Sequence, residues 1–362
     1  MKLLFVNTNI GYGGASKMMA WVASRMVERG HEVTFYTYRN NEVLQHLNPK
    51  IKHVHEQLED KFGENKRLWS CVRGIRQQIK KEGYEVAIAF LYPSILRLAM
   101  AVVGTNCRVL FSERADPSQK PSSFKSNVTY NIMRFAFCSA DAFVFQTPMA
   151  ATFFPKFVQK KGMVIPNPVV PLVRTEDRSI GGDKRIVCVA RLDINQKRQD
   201  LLIDAFNLIK CKYPEYSLCL YGDGLGNDEA ILRERAKDNH QIKFMGSTKN
   251  VVNVIQNATM TVLSSDFEGI PNALLESMSI GVPSVSTDCS PGGAAMLIRN
   301  KVNGLLIPRG DVQALAGAME YIITHPIEAE KMATLSMEVN EIYSEKVIAD
   351  KWETIINKLG QQ

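Results

Sequence analysis

Short runs of consecutive apolar residues recur along the chain. Each is followed by a longer stretch in which apolar positions return every three or four residues. The first run, Leu3-Leu4-Phe5-Val6, passes through a glycine turn into such a periodic stretch over 14–29. A run apolar on both faces suits a strand buried inside a parallel sheet, and the periodic stretches suit helices that cover it. In the first half the pattern predicts strands near 2–7, 33–37, 85–91, 108–112, 142–146 and 162–165. It predicts helices near 14–29, 66–82, 94–103, 124–138 and 148–154. In the second half strands are expected near 185–190, 216–221, 241–245, 259–263, 283–287 and 304–307. Helices are expected near 197–212, 227–238, 250–256, 271–280, 292–298, 311–324, 326–341 and 344–359. Thr147-Pro148 reads as an N-cap followed by proline in the first helical position, and Pro271 as another such first position.

The alternation breaks once. Pro166-Asn167-Pro168-Val169-Val170-Pro171 leads into a polar stretch ending at Gly181-Gly182-Asp183, and a fresh strand starts at Arg185. The expected organisation is an N-terminal Rossmann-like domain over 1–170, a linker over 171–184, a C-terminal Rossmann-like domain over 185–345, and a helix over 346–362 that packs back on the first domain. The fold class is therefore α/β, with two doubly wound domains, and a chain of 362 residues is long enough for both cores. Ligands of open parallel sheets bind outside the carboxyl ends of the strands, so the expected site is a cleft where two such ends face each other.

Composition narrows the picture only a little. The chain is 45% hydrophobic and 22% charged, which excludes disordered, collagenous and coiled-coil classes. Seven scattered cysteines, without C-x-x-C or metal-ligand spacing, read as reduced thiols of a cytoplasmic protein. The first residues are too few and too quickly interrupted for a signal peptide, and no apolar run is long enough to span a membrane. A formal charge of +7 favours anionic partners without choosing among them.

The informative residues follow strands. Arg191 and Lys197, six positions apart after the strand near 185–190, supply a planar guanidinium and an ammonium at an expected helix start. They make either a diphosphate site or two solvated surface cations. Glu268-Gly269-Ile270-Pro271-Asn272 follows the strand near 259–263, and Glu276 lies in the second turn of the next helix. A carboxylate accepts two hydrogen bonds and so matches a vicinal diol, although two acids at a helix start also complement its dipole. The Gly269–Asn272 amides are placed to meet sugar or phosphate oxygens. Glycine turns at Gly11-Tyr12-Gly13-Gly14 and Gly222-Asp223-Gly224 let backbone approach a ligand. The first is not a strict G-x-G-x-x-G, and strand two ends without an acid for a ribose, so a nicotinamide-dependent oxidoreductase is disfavoured.

These motifs together resemble the retaining glycosyltransferases of the GT4 family, which have the GT-B fold. The resemblance rests on Val189-Ala190-Arg191-Leu192 with Lys197, the Gly222-Asp223-Gly224 turn, and Glu268-Gly269-Ile270-Pro271-Asn272 with Glu276. Gly281-Val282-Pro283, Gly292-Gly293, Asn303-Gly304 and the Pro-Asn-Pro segment extend it over nearly the whole chain. The resemblance implies that Arg191 and Lys197 hold and neutralise the donor diphosphate, Glu276 binds the ribose, and Glu268 contacts the donor sugar. It implies that Gly13 and Gly14 approach the donor phosphate or the acceptor, and that no metal or other cofactor is needed. Where many members carry a cleft histidine, this chain reads Ser112-Glu113-Arg114, a variant similar to that of bacterial capsule and exopolysaccharide enzymes. Glu113 or Arg114 is then a candidate for the acceptor side.

The expected activity is transfer of a sugar from a nucleotide diphosphate donor, with UDP favoured, to a hydroxyl of a glycan or lipid-linked glycan. Another GT-B enzyme, such as an epimerase or phosphorylase, and a non-catalytic nucleotide- or glycan-binding protein are the alternatives. No nucleic-acid partner is expected. Cations among aromatics at Lys66, Arg67, Trp69, Arg73, Arg76, Lys80 and Lys81, and at Lys120, Phe124, Lys125, Tyr130 and Arg134, suggest either solvated helix faces or a surface resting on the anionic inner leaflet of the plasma membrane.

Overall fold

The computed structural model describes residues 1–10, 14–38, 47–56, 64–114, 116–118, 135–170, 172–173, 179–224 and 226–361. The chain forms two compact units, one of Met1–Pro166 with Lys346–Gln362 and one of Asn167–Glu345. The described residues of the expected linker, 172–173 and 179–184, thus fall in the second unit, and the last helix falls in the first.

Among the described residues the first unit carries seven parallel strands: β1 (Lys2–Asn7), β2 (Glu32–Thr37), β3 (Lys52–His55), β4 (Val86–Phe90), β5 (Arg108–Ser112), β6 (Ala142–Phe145) and β7 (Gly162–Val164). Their order is β3-β2-β1-β4-β5-β6-β7. Central strands such as β4, Val-Ala-Ile-Ala-Phe, are buried along their whole length, as a sheet covered on both faces requires. The strand β3 was not expected from the sequence. Its Lys-His-Val-His run is exposed or half-buried at the sheet edge and has no apolar signature. Under the sheet, Phe137, Phe143, Phe145 and Phe154 pack with ring centroids 4.8 to 5.3 Å apart.

The helices keep close to their expected places. Thr147 caps the helix Pro148–Thr152 as read from the sequence, its hydroxyl accepting the Ala150 N–H at 2.9 Å. The expected helix 124–138 falls mostly outside the described residues, with only a short 3-10 turn over Ala136–Ser139 seen. The last helix, Glu345–Gly360, buries Trp352, which stacks on Phe90 at 5.6 Å.

Among the described residues the second unit carries six parallel strands: β8 (Arg185–Val189), β9 (Ser217–Tyr221), β10 (Ile242–Gly246), β11 (Met260–Leu263), β12 (Ser284–Thr287) and β13 (Leu305–Ile307). Their order, β10-β9-β8-β11-β12-β13, reverses direction between β8 and β11. That switch point is where an open α/β sheet leaves a crevice at its carboxyl end. The expected helix 326–341 is split into Pro326–Ser336 and Val339–Ile342.

Candidate active site

The loops after β8 and β11 flank the switch point, and they carry the cations and the acid singled out above. Residues 193–198 form a compact turn. The Asp193 carboxylate accepts the amides of Asn195 and Gln196 at 3.1 and 2.9 Å and a guanidinium N–H of Arg191 at 2.7 Å. Burial opposes that charge, but these donors hold Asp193 below the usual carboxylate range. Gln199 is fully buried, and its side chain donates to the Arg191 carbonyl at 2.8 Å while accepting the Asp193 N–H at 3.1 Å. The side-chain position of Arg191 therefore depends on Asp193 and its backbone position on Gln199.

Lys197 does not open a helix. The helix starts at Gln199, and Arg198 before it adopts a left-handed backbone with φ 54°. An L-residue there costs about 1 kcal/mol. Hydrogen bonds to Asp200, and then one to Asp266 at 2.8 Å, hold the Arg198 guanidinium and raise its pKa against burial. The turn so formed points the Lys197 ammonium across the switch point, where it pairs with Glu268.

Glu268 is reached from the other strand. Ser265 donates to its Oε1 at 2.8 Å, and its own N–H donates to the Ser290 carbonyl at 2.7 Å. The two loops are stitched together by three further bonds: the Asp266 N–H to the Gln196 carbonyl at 2.9 Å, the Gln196 amide to the Phe267 carbonyl at 3.1 Å, and the Ser264 hydroxyl to the Lys197 carbonyl at 2.8 Å. Lys197 and Glu268 are 71 positions apart in sequence and share one ion pair.

The glycines act through close approach. Gly222 has φ 147°, and a Cβ there would lie 2.0 Å from the Ala190 carbonyl oxygen. Gly224 bridges Leu192, whose N–H also donates to the Asp223 carbonyl at 3.0 Å, while Asp223 itself is exposed. Gly293 was read only as part of a pattern. A Cβ there would lie 1.6 Å from the Gly269 carbonyl oxygen, so it lets the following helix press against the Glu268 loop.

Pro271 is the cap and Asn272 the first helical residue, one position later than read from the sequence. Gly269 is half-buried and Ile270 buried in the preceding loop. Asn167 of the Pro-Asn-Pro segment donates to the Asn272 side-chain oxygen at 2.7 Å. Glu276 is half-buried in the second turn of the same helix. Burial pushes the nearby thiols of Cys188 and Cys289 up to about 12.

In the first unit, Ser112 ends β5 and donates to the Val144 carbonyl at 3.0 Å. Glu113 and Arg114 are buried; Glu113 accepts the Arg114 N–H at 3.0 Å, and the Arg114 guanidinium lies 5.5 Å above the Phe90 ring. Gly14 is exposed at the start of the first helix with open space around its α-carbon, while Gly13 lies outside the described residues. Arg76 is not a free surface cation: it donates to the Ala101 carbonyl at 3.0 Å and to the Val103 carbonyl, closing the end of the helix Tyr92–Ala101. The side chains of Lys66 and Arg67 lie outside the described residues, as do Lys120, Phe124, Lys125, Tyr130 and Arg134. Among the described residues no cluster of His, Cys, Asp or Glu could hold a metal ion.

Two family profiles divide the chain as the structure does. Glycosyltransferase Family 4 matches residues 12–171, and Glycosyl transferases group 1 matches residues 183–325. The chain is a family 4 glycosyltransferase with the GT-B fold. A glycosyltransferase of Haemophilus influenzae is 24% identical to it over 98% of this chain and 99% of its own length. An alpha-1,4-N-acetyl-D-galactosaminyltransferase of Campylobacter jejuni, whose name specifies a GalNAc-GalNAc-diNAcBac-PP-undecaprenol substrate, is 22% identical over 89% of each chain. The Anabaena HepE structure in complex with UDP and glucose superposes with a TM-score of 0.81 at 19% identity over 99% of both chains. The lipopolysaccharide outer core galactosyltransferase WaaB superposes with a TM-score of 0.78 at 19% identity, also over 99% of both.

Proposed function

We propose that this glycosyltransferase moves a sugar, with retention of anomeric configuration, from a UDP-sugar to a hydroxyl of a lipid-linked glycan during bacterial surface-polysaccharide synthesis. The observation that carries the reading is the Lys197–Glu268 pair at the β8/β11 switch point, braced by Arg191, Asp193 and Arg198. UDP is favoured by the HepE complexes, and a polyprenyl diphosphate acceptor by the name of the Campylobacter relative. On this reading the enzyme works in the cytoplasm, against the inner face of the plasma membrane, and needs no metal or other cofactor.

The pair suits an exchange of partners. A diphosphate brings more negative charge than one carboxylate and offers several acceptor oxygens, so it draws the Lys197 ammonium away. Glu268 is then released to accept hydrogen bonds from the donor sugar. Arg191 adds a second cation, and the Gly222 and Gly269 turns bring backbone N–H groups close. Negative charge grows on the diphosphate as the glycosidic bond breaks, and cations held in place beforehand stabilise it without reorganisation. Glu276, fixed on its helix, takes the ribose diol. A leaving phosphate oxygen takes the proton of the attacking hydroxyl on the same sugar face.

The test incubates the protein with UDP-, GDP- and ADP-sugars and a polyprenyl diphosphate glycan. The expected result is UDP release matched by a new glycoside whose anomeric proton coupling equals that of the donor. Lys197→Ala and Arg191→Ala should each slow turnover by about a hundredfold at saturating donor. Inversion, full activity in both variants, or release of no nucleotide from any donor would refute the reading.

A further inference from the structure

Residues 148–161 carry a four-residue repeat: Pro-Met-Ala-Ala, Thr-Phe-Phe-Pro, Lys-Phe-Val-Gln, then Lys-Lys. They fold as two short helices, Pro148–Thr152 and Lys156–Lys160, leading into the edge strand β7. The third position of each tetrad, Ala150, Phe154 and Val158, is buried. The second position of each, Met149, Phe153 and Phe157, stands out at 49%, 41% and 44% exposure. Lys156 and Lys160 are exposed beside them, while the ammonium of Lys161 is held by the Ala140 carbonyl at 2.8 Å.

We propose that this face is a docking surface for an anionic lipid bilayer. Its chemistry selects that occupant. No Asp or Glu occurs between Asp141 and Glu176, and among the described residues neither Lys156 nor Lys160 has a carboxylate partner. The neutral polar groups are spent on the backbone: the exposed Thr152 hydroxyl donates to the Met149 carbonyl at 2.8 Å, and the half-buried Gln159 amide to the Phe154 carbonyl at 2.7 Å. What remains outward is apolar carbon and ammonium. Apolar side chains enter the acyl boundary while lysine stems lie along it and their charges meet phosphate headgroups. No described helix is long and apolar enough to cross a membrane, so the contact is peripheral and reversible. The inference deepens the proposed function: it names the surface through which a lipid-linked acceptor is approached, and it rests on that reading for its purpose.

The test is flotation of the full chain with vesicles of phosphatidylcholine alone or with three-tenths phosphatidylglycerol, at low and high salt. Binding should require the anionic lipid and weaken with salt. K156Q/K160Q should reduce partitioning by about 30-fold, and F153S/F157S should reduce it at both salt levels with unchanged circular dichroism. R73Q/K80Q, on the basic helix Glu64–Glu82, should leave binding in place. UDP release from a soluble donor, measured on the same variants, should stay at the wild-type rate, so loss of membrane binding and loss of sugar chemistry are seen separately. The proposal is overturned if anionic vesicles are not bound, if neutral vesicles are bound equally, or if R73Q/K80Q alone abolishes binding. A wild-type dimer that F153S/F157S converts to monomer would assign the face to a second copy instead.

Discussion

At the scale of single residues, the proposed function gives Glu268 and Glu276 separate tasks. Glu268 sits in a loop, bonded by Ser265, and Glu276 is fixed on a helix. Glu276→Gln should weaken free UDP several-fold by calorimetry, because the ribose loses a charged acceptor. Glu268→Gln should leave UDP affinity unchanged or raised, since Lys197 no longer needs to leave a carboxylate, yet it should slow transfer. Equal loss of UDP affinity in both variants would contradict the division of roles. A second residue-scale outcome concerns pH. Burial pushes Cys71, Cys107, Cys188 and Cys289 up to about 12 in the folded chain. Above the ordinary thiol pKa the unfolded chain loses these protons and the folded chain keeps them. The unfolded state then binds fewer protons, so stability falls as pH rises, by about 1.4 kcal/mol per pH unit for each such thiol. Urea midpoints should drop steadily from pH 9 to pH 11, and Cys188→Ala should flatten the slope. A flat profile across that range would rule the effect out.

At the scale of elements, most of the architecture was legible because buried parallel strands are written as continuous apolar runs. What failed had local physical causes. The strand β3 is a polar edge strand and needs only backbone pairing with β2. The helix after β8 starts two residues late because Arg198 bends left-handed, a conformation sequence patterns do not announce for arginine. Arg191, Lys197 and Glu268 stand out in the sequence as candidates because they follow strands, and Glu276 because it lies one turn into the next helix. Their partners Asp193, Gln199, Ser265 and Asp266 were not, because those bonds depend on a turn and on two loops separated by 71 positions. Gly293 shows the same limit. It reads as an ordinary glycine pair with Gly292, yet it is the point where the Gly293–Leu297 helix meets the Glu268 loop. Gly293→Ala should force that loop outward, costing about 2 kcal/mol in thermal stability and a larger share of donor affinity. An alanine variant with wild-type melting and wild-type UDP affinity would show that the contact is not needed.

At the scale of the whole molecule, the chain passes from the first unit to the second at Pro166 and returns at Lys346, so the first unit is completed only by the last helix. That helix buries Ile348, Trp352, Ile355 and Ile356, and Arg29 reaches it through Asp350 at 2.6 Å and through Glu353. Trp352 is the largest fully buried side chain among the described residues, and it stacks on Phe90 at the end of the central strand β4. Replacing it by alanine leaves a cavity against the sheet and removes the stack, a change that costs about 3–5 kcal/mol in a closed core. The second unit has its own sheet and core, and Arg191 and Lys197, the cations proposed to hold the donor diphosphate, lie there. Trp352→Ala should therefore lower the melting transition of the first unit markedly in scanning calorimetry. UDP should still raise the melting temperature of the second unit by its wild-type increment, because only the folded donor site binds it. One merged transition shifted as a block, together with loss of the UDP increment, would mean that the donor site depends on the first unit's core and would sink the assignment of donor binding to Asn167–Glu345 alone.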